Sequence, residues 1–540
     1  MKIKEGRMKM NKNTKINSCE CSTTKLYDAL HGLKLRVLLE GVLVGIFSGL
    51  IVVAYRVLLG EAEKFTGNMY KFISTNKIYI PLVLIALILA GYFVGILVEK
   101  QPMISGSGIP QVEGILTGYF KVSPIKILIN KFVGGVIAIG AGLSLGREGP
   151  SIQLGASCGQ LVARMFKRIK LEERFLLTSG ASAGLAAAFN APFSGVIFAL
   201  EEVHKNFSPL VLLSAMSASV TADFVSKQFL GRKPLFDIPG AKALNLIPFK
   251  YYGLLIILGI VLGFGGAFYN FVLLKTQDLY GKIKSVRVRL IVPFIFAMLF
   301  GLLCPQVLAG GHGIIHSLLR EELVLKMAII FLVFKFIFSM ISFSSGSPGG
   351  ILFPLLVLGG LIGAIFGEAS VILLGISPEY LCTFTILAMA GMFSSIVRAP
   401  ITGIMLICEM SGTFTHLLTV TIVCAVSYIV ADLLGSAPIY ESLLDKHIAR
   451  VKGKPKEMEK GKIFIRYIIH QGSKIENKLV KDLKMPHDAL IVSIERGDEE
   501  IIPRGDTRVL RGDYILILAN QNDETLVREQ LGCLCEDVNE

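Results

Sequence analysis

The segment GREGP, Gly146 to Pro150, places a carboxylate between two glycines inside a long apolar part of the sequence. The same skeleton, G-x-x-x-P, occurs in GSGIP (Gly106 to Pro110) and GILFP (Gly350 to Pro354). Proline is favoured at the first position of a helix, so each segment predicts a glycine-rich turn that opens a helix. Helix N-termini carry free N–H groups and a partial positive charge. Three such starts that converge would bind an anion, although one copy alone would more often serve helix packing.

The composition around these segments is that of a membrane protein. Of 540 residues, 53% are hydrophobic and 18% are charged, and the mean hydropathy is +0.63, which excludes a single soluble domain. Continuous apolar runs are typical of membrane helices, whereas barrel strands alternate over ~10 residues. The predicted fold class is therefore an all-α polytopic membrane protein. The stretches without Lys, Arg, Asp or Glu that reach the ~20 residues needed to cross a bilayer are residues 78–98, 175–200, 251–274 and 336–367.

The apolar part of the chain repeats itself. Ala191-Pro-Phe-Ser-Gly195 followed by Glu201 matches Ala399-Pro-Ile-Thr-Gly403 followed by Glu409, at a spacing of 208. The spacing predicts two halves of similar design, which in transporters usually meet around a site near the bilayer midplane. A second match has a spacing of 204: Pro150 and Gly155 with Pro354 and Gly359.

Prolines within or beside the apolar runs predict interrupted spans, because proline removes a backbone hydrogen bond and breaks a helix. Broken helices at membrane depth survive where the loose backbone lines a cavity or a water-filled path. These prolines are Pro102, Pro110, Pro124, Pro150, Pro192, Pro209, Pro348, Pro354 and Pro400.

Glu148 is the residue that most directly indicates function. A carboxylate in apolar sequence costs roughly 2 to 3 kcal/mol on insertion scales and usually marks an ion or proton pathway. At a helix start, its anionic form would be held by the same amides that attract a halide. Carboxylate and anion would then compete for one place, and protonation would release the side chain, which makes Glu148 a candidate gate. The alternative is a capping Glu paired with Arg147 at the membrane edge.

Glu201 and Glu202 follow an apolar stretch, so this helix ends in acid where the helix dipole favours a cation. Adjacent residues on a helix point about 100° apart. We therefore expect one acid to face the interior, where it would pass protons toward Glu148, and the other to face water or a partner helix. A solvated helix end is the alternative.

Other charged side chains, and side chains of the types that bind metals, give weaker indications of function. Lys131 and Arg398 lie near apolar sequence, and we expect both to reach the membrane surface through their flexible stems. His312 and His316 have metal-ligand spacing without a third ligand nearby, which favours a loop histidine pair. Reduced thiols are predicted for the C-x-C pairs because neither has further zinc ligands, so no metal site is expected: Cys19 with Cys21, and Cys533 with Cys535.

Taken together, residues 33–450 resemble the ClC family of chloride channels and proton-coupled chloride transporters. The resemblance is carried by GSGIP, GREGP, the AAAFNAPFSG stretch at residues 186–195, EEV at residues 201–203, and the late Tyr440. It implies a homodimer in which each subunit holds its own pathway between two inverted halves with broken helices.

The resemblance also implies roles for individual residues. Ser107 and Tyr440 would offer hydroxyls to chloride, and the amides of Ile351 and Leu352 would complete the site. Glu148 matches the external gate and proton acceptor, and Glu202 matches the internal proton-transfer glutamate of the exchangers. The third motif departs from the usual G-x-F-x-P, since Leu352 stands at the Phe position, which leaves halide preference open. The supporting helix N-termini would be Gly106, Gly108, Gly146, Gly149, Gly350 and Phe353.

The function that follows is proton-coupled chloride transport, that is H⁺/Cl⁻ exchange; the alternative is a gated, voltage- or pH-dependent chloride channel of the same fold. A fluoride carrier is less favoured because GSGIP and GREGP are intact. A cation transporter is suggested by the C-terminal domain alone. An enzyme or ATP-driven pump is not expected, because no G-x-x-x-x-G-K-[ST] motif occurs. The expected partners are chloride, protons, the lipid bilayer and a second copy of the chain, with no nucleic acid and no cofactor apart from bound chloride.

The predicted domains are a basic tail at residues 1–32, a transmembrane domain at 33–449, a charged linker at 450–461 and a regulatory domain at 462–535. The tail holds seven Lys/Arg against three acids, so both termini are predicted to be cytoplasmic in the cell membrane. The last domain resembles the RCK C-terminal (TrkA-C) domain, which implies regulation by a small ligand. Its predicted strands are residues 463–469, 490–494 and 514–518, and its predicted helices are 474–485 and 523–531.

Overall fold

The computed structural model describes residues 23–205, 207–236, 244–321, 323–452, 462–483, 485, 489–496, 499–520, 527, 530, 531 and 534. The chain forms two compact units, Met1–Asp445 and Lys446–Glu540. The regular elements described in the first unit are helices, and the second unit contains a small sheet. Both C-x-C pairs, the tail up to residue 22 and residues 453–461 of the predicted linker lie outside the described residues.

The helices of the first unit form two consecutive sets of eight. The first set is α1 Thr23–Thr75, α2 Ile80–Lys100, α3 Ile109–Leu116, α4 Pro124–Gly140, α5 Glu148–Met165, α6 Lys170–Phe189, α7 Pro192–Phe198 and α8 Pro209–Leu230. The second set is α9 Tyr252–Gly281, α10 Val286–Leu303, α11 His312–Leu319, α12 Leu325–Ser344, α13 Leu352–Leu374, α14 Leu381–Val397, α15 Pro400–Ser411 and α16 Leu417–Leu433. Helix α17, Ile439–Lys452, follows them.

The two sets repeat with the spacing that the sequence predicts. Helices α5 and α13 begin 204 residues apart, and α7 and α15 begin 208 residues apart. The short helices α3 and α11 also correspond, since both have eight residues and follow a left-handed glycine, Gly108 or Gly311. The repeat is therefore structural.

The predicted interruptions are confirmed. Residues 175–200 form no single span, because α6 ends at Phe189 and Asn190 adopts a left-handed conformation before α7 begins. Residues 336–367 are likewise divided between α12 and α13. Each of the nine prolines named above lies in the first turn of a helix or between helices.

Eight helical segments among the described residues are long and apolar enough to cross a membrane. The protein is thus a multi-pass membrane protein by length and composition of its helices. The segments are Leu35–Thr75, Lys77–Lys100, Pro209–Leu230, Phe249–Gly281, Val286–Leu303, Leu325–Ser344, Leu352–Leu374 and Pro378–Val397.

Helices α5 and α6 pack closely through small residues. A Cβ atom on Gly155 would meet the carbonyl oxygen of Gly180, and one on Gly184 would meet that of Ser151. Small residues let membrane helices approach to backbone contact. This contact fixes the position of α5 against α6, and therefore the position of Glu148 at the start of α5.

The second unit is a four-stranded antiparallel sheet with the strand order β1-β4-β2-β3. The strands are β1 Lys462–Ile468, β2 Leu490–Arg496, β3 Glu499–Ile501 and β4 Tyr514–Asn520, which confirms the three predicted strands and adds β3. Buried Ile465, Ile494, Ile515 and Ile517 contribute to its core.

The predicted helix at residues 474–485 is wrong, because the segment pairs with another part of the chain. Asn477 N–H donates to Val509 at 2.8 Å, and Val480 N–H donates to Thr507 at 2.9 Å. These donors are therefore not available to form a helix, and one 3₁₀ turn at Val480–Asp482 remains. Of the second predicted helix, residues 527, 530 and 531 are helical, and the other positions from 523 to 529 lie outside the described residues.

Candidate ion pathway

The three G-x-x-x-P segments lie side by side. Gly146 and Gly350 exchange backbone hydrogen bonds, each N–H donating to the other carbonyl at 2.7 Å. Gly106 N–H donates to Gly346 at 3.3 Å, and Gly349 N–H donates to Gly106 at 3.0 Å. The loops that open α3, α5 and α13 are thereby joined at one place.

The helices begin slightly earlier than the prolines suggest. Pro110 is the second residue of α3, and Pro150 and Pro354 are the third residues of α5 and α13. The prediction of proline at the first helical position is thus off by one or two residues. The predicted ability of these helix starts to bind an anion is unchanged, because every N–H in the first helical turn lacks an intrahelical partner.

Two glycines permit the close approach of these loops. A Cβ atom on Gly149 would lie 2.8 Å from the Ser107 carbonyl oxygen. Gly108 has φ +95, a left-handed conformation that favours glycine, and a Cβ there would meet Gln153. The loop that carries Ser107 is therefore pressed against the start of α5.

Glu148 is fully buried at this junction. Its Oε2 lies over Gly146, where an added Cβ atom would meet both this oxygen and the backbone nitrogen of Phe353. Neither carboxylate oxygen has a hydrogen-bond partner among the described residues. Arg147 Nε lies 3.9 Å from Oε1, which is an ion-pair contact without a hydrogen bond. A capping Glu at the membrane edge does not fit this burial.

The four residues predicted to bind chloride are all buried. Ser107 Oγ accepts a hydrogen bond from Ile109 N–H at 3.3 Å. Ile351 and Leu352 lie at the start of α13, next to the Gly146–Gly350 bridge. The Tyr440 hydroxyl has no hydrogen-bond partner in the described part of the chain.

Tyr440 lies in the first turn of α17. Its side chain is fully buried, and its hydroxyl is within the electrostatic influence of both Glu202 and Glu148.

Phe353 occupies the position after the usual aromatic residue of the third motif. Its ring centroid lies 3.9 Å from that of His312 and 6.5 Å from that of Phe189. His312 also lines a cavity of about 200 Å³ together with Glu63 and Tyr70. The prediction of a loop histidine pair is wrong, because His312 begins helix α11 and packs on Phe353.

Glu201 and Glu409 each form hydrogen bonds with a helix of the other half. Glu201 accepts hydrogen bonds from the N–H groups of Ile401, at 3.2 Å, and Thr402, at 2.8 Å, at the start of α15. Glu409 accepts those of Phe193, at 3.0 Å, and Ser194, at 2.7 Å, at the start of α7. Each acid caps the matching helix of the other half, where an N-terminus favours negative charge.

Glu202 faces the interior, as predicted for one acid of the pair. It lies in a π-helical turn, Ala199–His204, is buried, and its Oε1 has no hydrogen-bond partner among the described residues. Because Glu201 caps α15, the solvated helix end is excluded for that residue. The two neighbouring carboxylates therefore have different environments.

Sequence reasoning missed the groups beside Glu202. The ammonium of Lys205 lies 2.6 Å from Glu113 Oε1 and 2.6 Å from Glu441 Oε1. Lys205 also interacts electrostatically with Glu202. The signal available was Glu113, an acid only three residues after GSGIP in apolar sequence.

Surface exposure of Lys131 and Arg398 is a wrong prediction. Lys131 is fully buried, and its ammonium donates to the carbonyls of Ile104 at 2.9 Å and Gly106 at 2.6 Å. The Arg398 guanidinium donates to the backbone carbonyls of Tyr428 and Ser436. Interrupted helices leave carbonyls without intrahelical partners inside the protein, and these cations bind them.

A buried counterpart of Lys131 follows from the repeat. Lys335 lies 204 residues later and donates to the carbonyls of Val307 at 3.0 Å and Ala309 at 2.7 Å. The same spacing that identified the two halves could have found it.

Residues 90–432 match the protein family described as Voltage gated chloride channel, and residues 464–532 match the TrkA-C domain. Over 438 residues, the chain is 32% identical to the H⁺/Cl⁻ exchange transporter ClcA of Salmonella arizonae, across 77% of this chain and 89% of that protein. A slow cyanobacterial Cl⁻/H⁺ antiporter aligns with a TM-score of 0.72 and 27% identity, over 77% of this chain and 99% of the antiporter chain. A CLC-type fluoride/proton antiporter shares the fold, with a TM-score of 0.62 and 23% identity over 77% and 98%. The resemblance seen in the sequence is thus confirmed, and the chain belongs to the voltage-gated chloride channel (ClC) family, with a TrkA-C domain at residues 464–532.

Proposed function

We propose that this protein exchanges chloride for protons across the membrane, with Glu148 as the gate. The observation that carries the proposal is the Glu148 carboxylate, which is buried without hydrogen bonds where three helix starts meet. The exchange activity is also that of the ClcA relative at 32% identity and of the cyanobacterial antiporter at 27% identity.

Chloride would bind through neutral donors. The amides of Ile351 and Leu352, at the start of α13, supply N–H groups and the positive end of a helix dipole. Ser107 and Tyr440 supply hydroxyl groups, and the unpartnered Tyr440 hydroxyl is free to donate to an anion. Weak binding to several neutral donors suits an ion that must also leave.

The gate would work by competition. The ionised Glu148 side chain occupies space beside the helix-start amides, so it excludes chloride from that place. A proton removes the charge that holds the carboxylate there, and the neutral side chain can leave. Chloride flux should therefore rise as the pH on the Glu148 side falls.

Glu202 would carry the proton on the inner side. Its unpartnered Oε1 can accept a proton, and burial keeps the group apart from solvent. Transfer between Glu202 and Glu148, with chloride moving in the opposite direction, couples the two ions. A passive chloride channel has no need of a second buried acid.

The remaining assignments belong to the same proposal. A homodimer fits an exposed apolar stripe on α8 with helical spacing, Leu212, Met216, Val220 and Phe224. The basic tail at residues 1–32 would be cytoplasmic, together with the linker at 450–461 and the domain at 462–535. That domain would regulate transport through a small ligand, and chloride would be the bound ion without another cofactor.

The test is a coupled flux assay on liposomes that contain the purified full-length protein. With a chloride gradient as the sole driving force, we expect protons to move uphill. Glu202→Gln should abolish proton movement while chloride still passes, and Glu148→Ala should uncouple the ions and remove the pH dependence of chloride flux. Glu61→Gln, an exposed acid outside the pathway, is the control and should behave as the unmodified protein.

Two results would contradict the proposal. Chloride flux without proton movement in the unmodified protein would indicate a gated channel of the same fold. A flux that depends on potassium and is indifferent to chloride would indicate a cation transporter.

A further inference from the structure

A basic cavity of about 350 Å³ lies away from the ion pathway, between the end of α5, the beginning of α6 and the segment that joins α3 to α4. Its volume is within the range of ~300–1,000 Å³ typical of small-molecule sites. Four cationic side chains and one carboxylate line it: Lys121, Arg164, Lys170, Arg174 and Glu173.

The single carboxylate of the cavity is already engaged. Glu173 Oε1 accepts a hydrogen bond from Gln160 Nε2 at 2.9 Å and lies 3.5 Å from Arg164 Nε. In the part of the chain that the structure describes, Lys121, Lys170 and Arg174 have no ion-pair contact. Three cations therefore line one concave surface without a compensating anion, and a cleft of this kind attracts an anionic ligand.

Apolar side chains line the cavity together with the cations. They are Ile115, Phe120, Val122 and Leu177. A ligand that carries only charged groups would contact the cationic side chains and would leave the apolar side chains without a ligand contact. A ligand with a charged head and apolar chains would contact both.

We propose that this cavity binds the phosphate-bearing headgroup of an anionic phospholipid, with its acyl chains against the apolar side chains around it. Basic pockets between membrane helices are suited to such headgroups. Lys121, Lys170 and Arg174 would contact the phosphate oxygens, and Arg164 would remain oriented by Glu173. A soluble phosphate compound shares the headgroup chemistry, and the apolar surroundings favour the lipid.

The first test measures lipid retention by native mass spectrometry of the purified full-length protein in detergent. Phosphatidylglycerol and cardiolipin should remain bound, and phosphatidylcholine should not. The Lys121→Gln/Lys170→Gln variant should bind anionic lipid about 30-fold more weakly, from the attraction of two cations near the headgroup. Lys121→Arg/Lys170→Arg should restore binding, because the charge is kept.

The matched control is Lys282→Gln/Lys284→Gln, which removes the same charge between α9 and α10. An equal loss of lipid in both double variants would overturn the proposal, because the effect would then be one of net charge. Equal retention of phosphatidylcholine and phosphatidylglycerol would also overturn it. Elution volume on size exclusion checks that each variant is folded.

The second test distinguishes the two sources of phosphate. The thermal unfolding midpoint is measured with phosphatidylglycerol or with inorganic phosphate. Stabilisation by the lipid that depends on Lys121 and Lys170 supports the proposal. Stabilisation by inorganic phosphate alone, with the same dependence, would assign the cavity to a soluble ligand. Lipid binding does not depend on ion exchange, so either proposal can fail without the other.

Discussion

The two halves of the membrane unit share their helix starts and differ in the side chains that those starts carry. Glu148 opens α5, and Leu352 opens α13 at the equivalent position, 204 residues later. Glu202 corresponds in the same way to Met410, at a spacing of 208. Leu352 and Met410 are as fully buried as the acids they replace. The first half therefore holds both titratable groups of the candidate pathway.

Other charged residues occur in both halves. Glu201 and Glu409 cap each other's helices, and Lys131 and Lys335 bind the carbonyls of interrupted segments. The comparison teaches how to separate structure from function within a repeat. In these two pairs the recurring charges satisfy backbone groups that recur, whereas Glu148 and Glu202 are acids that occur in one half alone.

The largest effect is expected when the first half is made to resemble the second. In Glu148→Leu/Glu202→Met, proton flux should fall by at least ~100-fold, the scale of losing a positioned acid, while chloride still passes. The measurement is proton uptake into liposomes under a chloride gradient. The control Leu352→Met/Met410→Leu should remain within about twofold, because it conserves volume. Uphill proton movement in Glu148→Leu/Glu202→Met would contradict the view that proton transport depends on the acids of the first half.

An intermediate effect is expected from the recurring acids. Glu201→Ala and Glu409→Ala should each lower the free energy of unfolding by about 1–3 kcal/mol, since each leaves helix-start N–H groups without an acceptor. Thermal unfolding of the purified protein measures the loss, and the ratio of protons to chloride ions should stay unchanged. A loss of coupling at wild-type stability would show that these acids belong to the pathway.

The smallest effect is expected from the buried lysines, and it should differ between the halves. Lys131 binds the Gly106 carbonyl, next to Ser107, so Lys131→Met should weaken chloride binding by about tenfold, near the net value of one hydrogen bond. Lys335 binds Val307 and Ala309, before α11, so Lys335→Met should change chloride binding less. Calorimetric titration with chloride measures both. Equal effects of the two substitutions would mean that each lysine affects chloride binding through the stability of the fold and not through the Gly106 carbonyl.

Much of the site follows from local sequence. The three G-x-x-x-P segments, the spacing of the repeat and the isolation of Glu148 in apolar sequence are local patterns with direct physical meanings. The predicted difference in orientation between Glu201 and Glu202 is also confirmed, because two adjacent helical residues cannot face the same way.

Other features depended on partners far away in the chain. Lys131 was expected at the surface because the carbonyls that it binds, at Ile104 and Gly106, come within reach of its ammonium only when the chain folds. The Lys205 contacts join residues 113, 205 and 441. The prediction of a helix at 474–485 was wrong for the same reason, since N–H groups of this segment pair with residues 505–509.

The sequence by itself determined that the chain crosses a membrane in two similar halves, that its helices break at glycine and proline, and that an acid stands at one break. Those properties depend on hydropathy, backbone geometry and residue type, which are local. The tertiary structure decided which breaks adjoin, which acids cap a helix and which remain unpaired, and where buried cations find carbonyls. Hydrogen bonds are made between groups within about 3 Å, and only folding brings residues 200 positions apart to that distance.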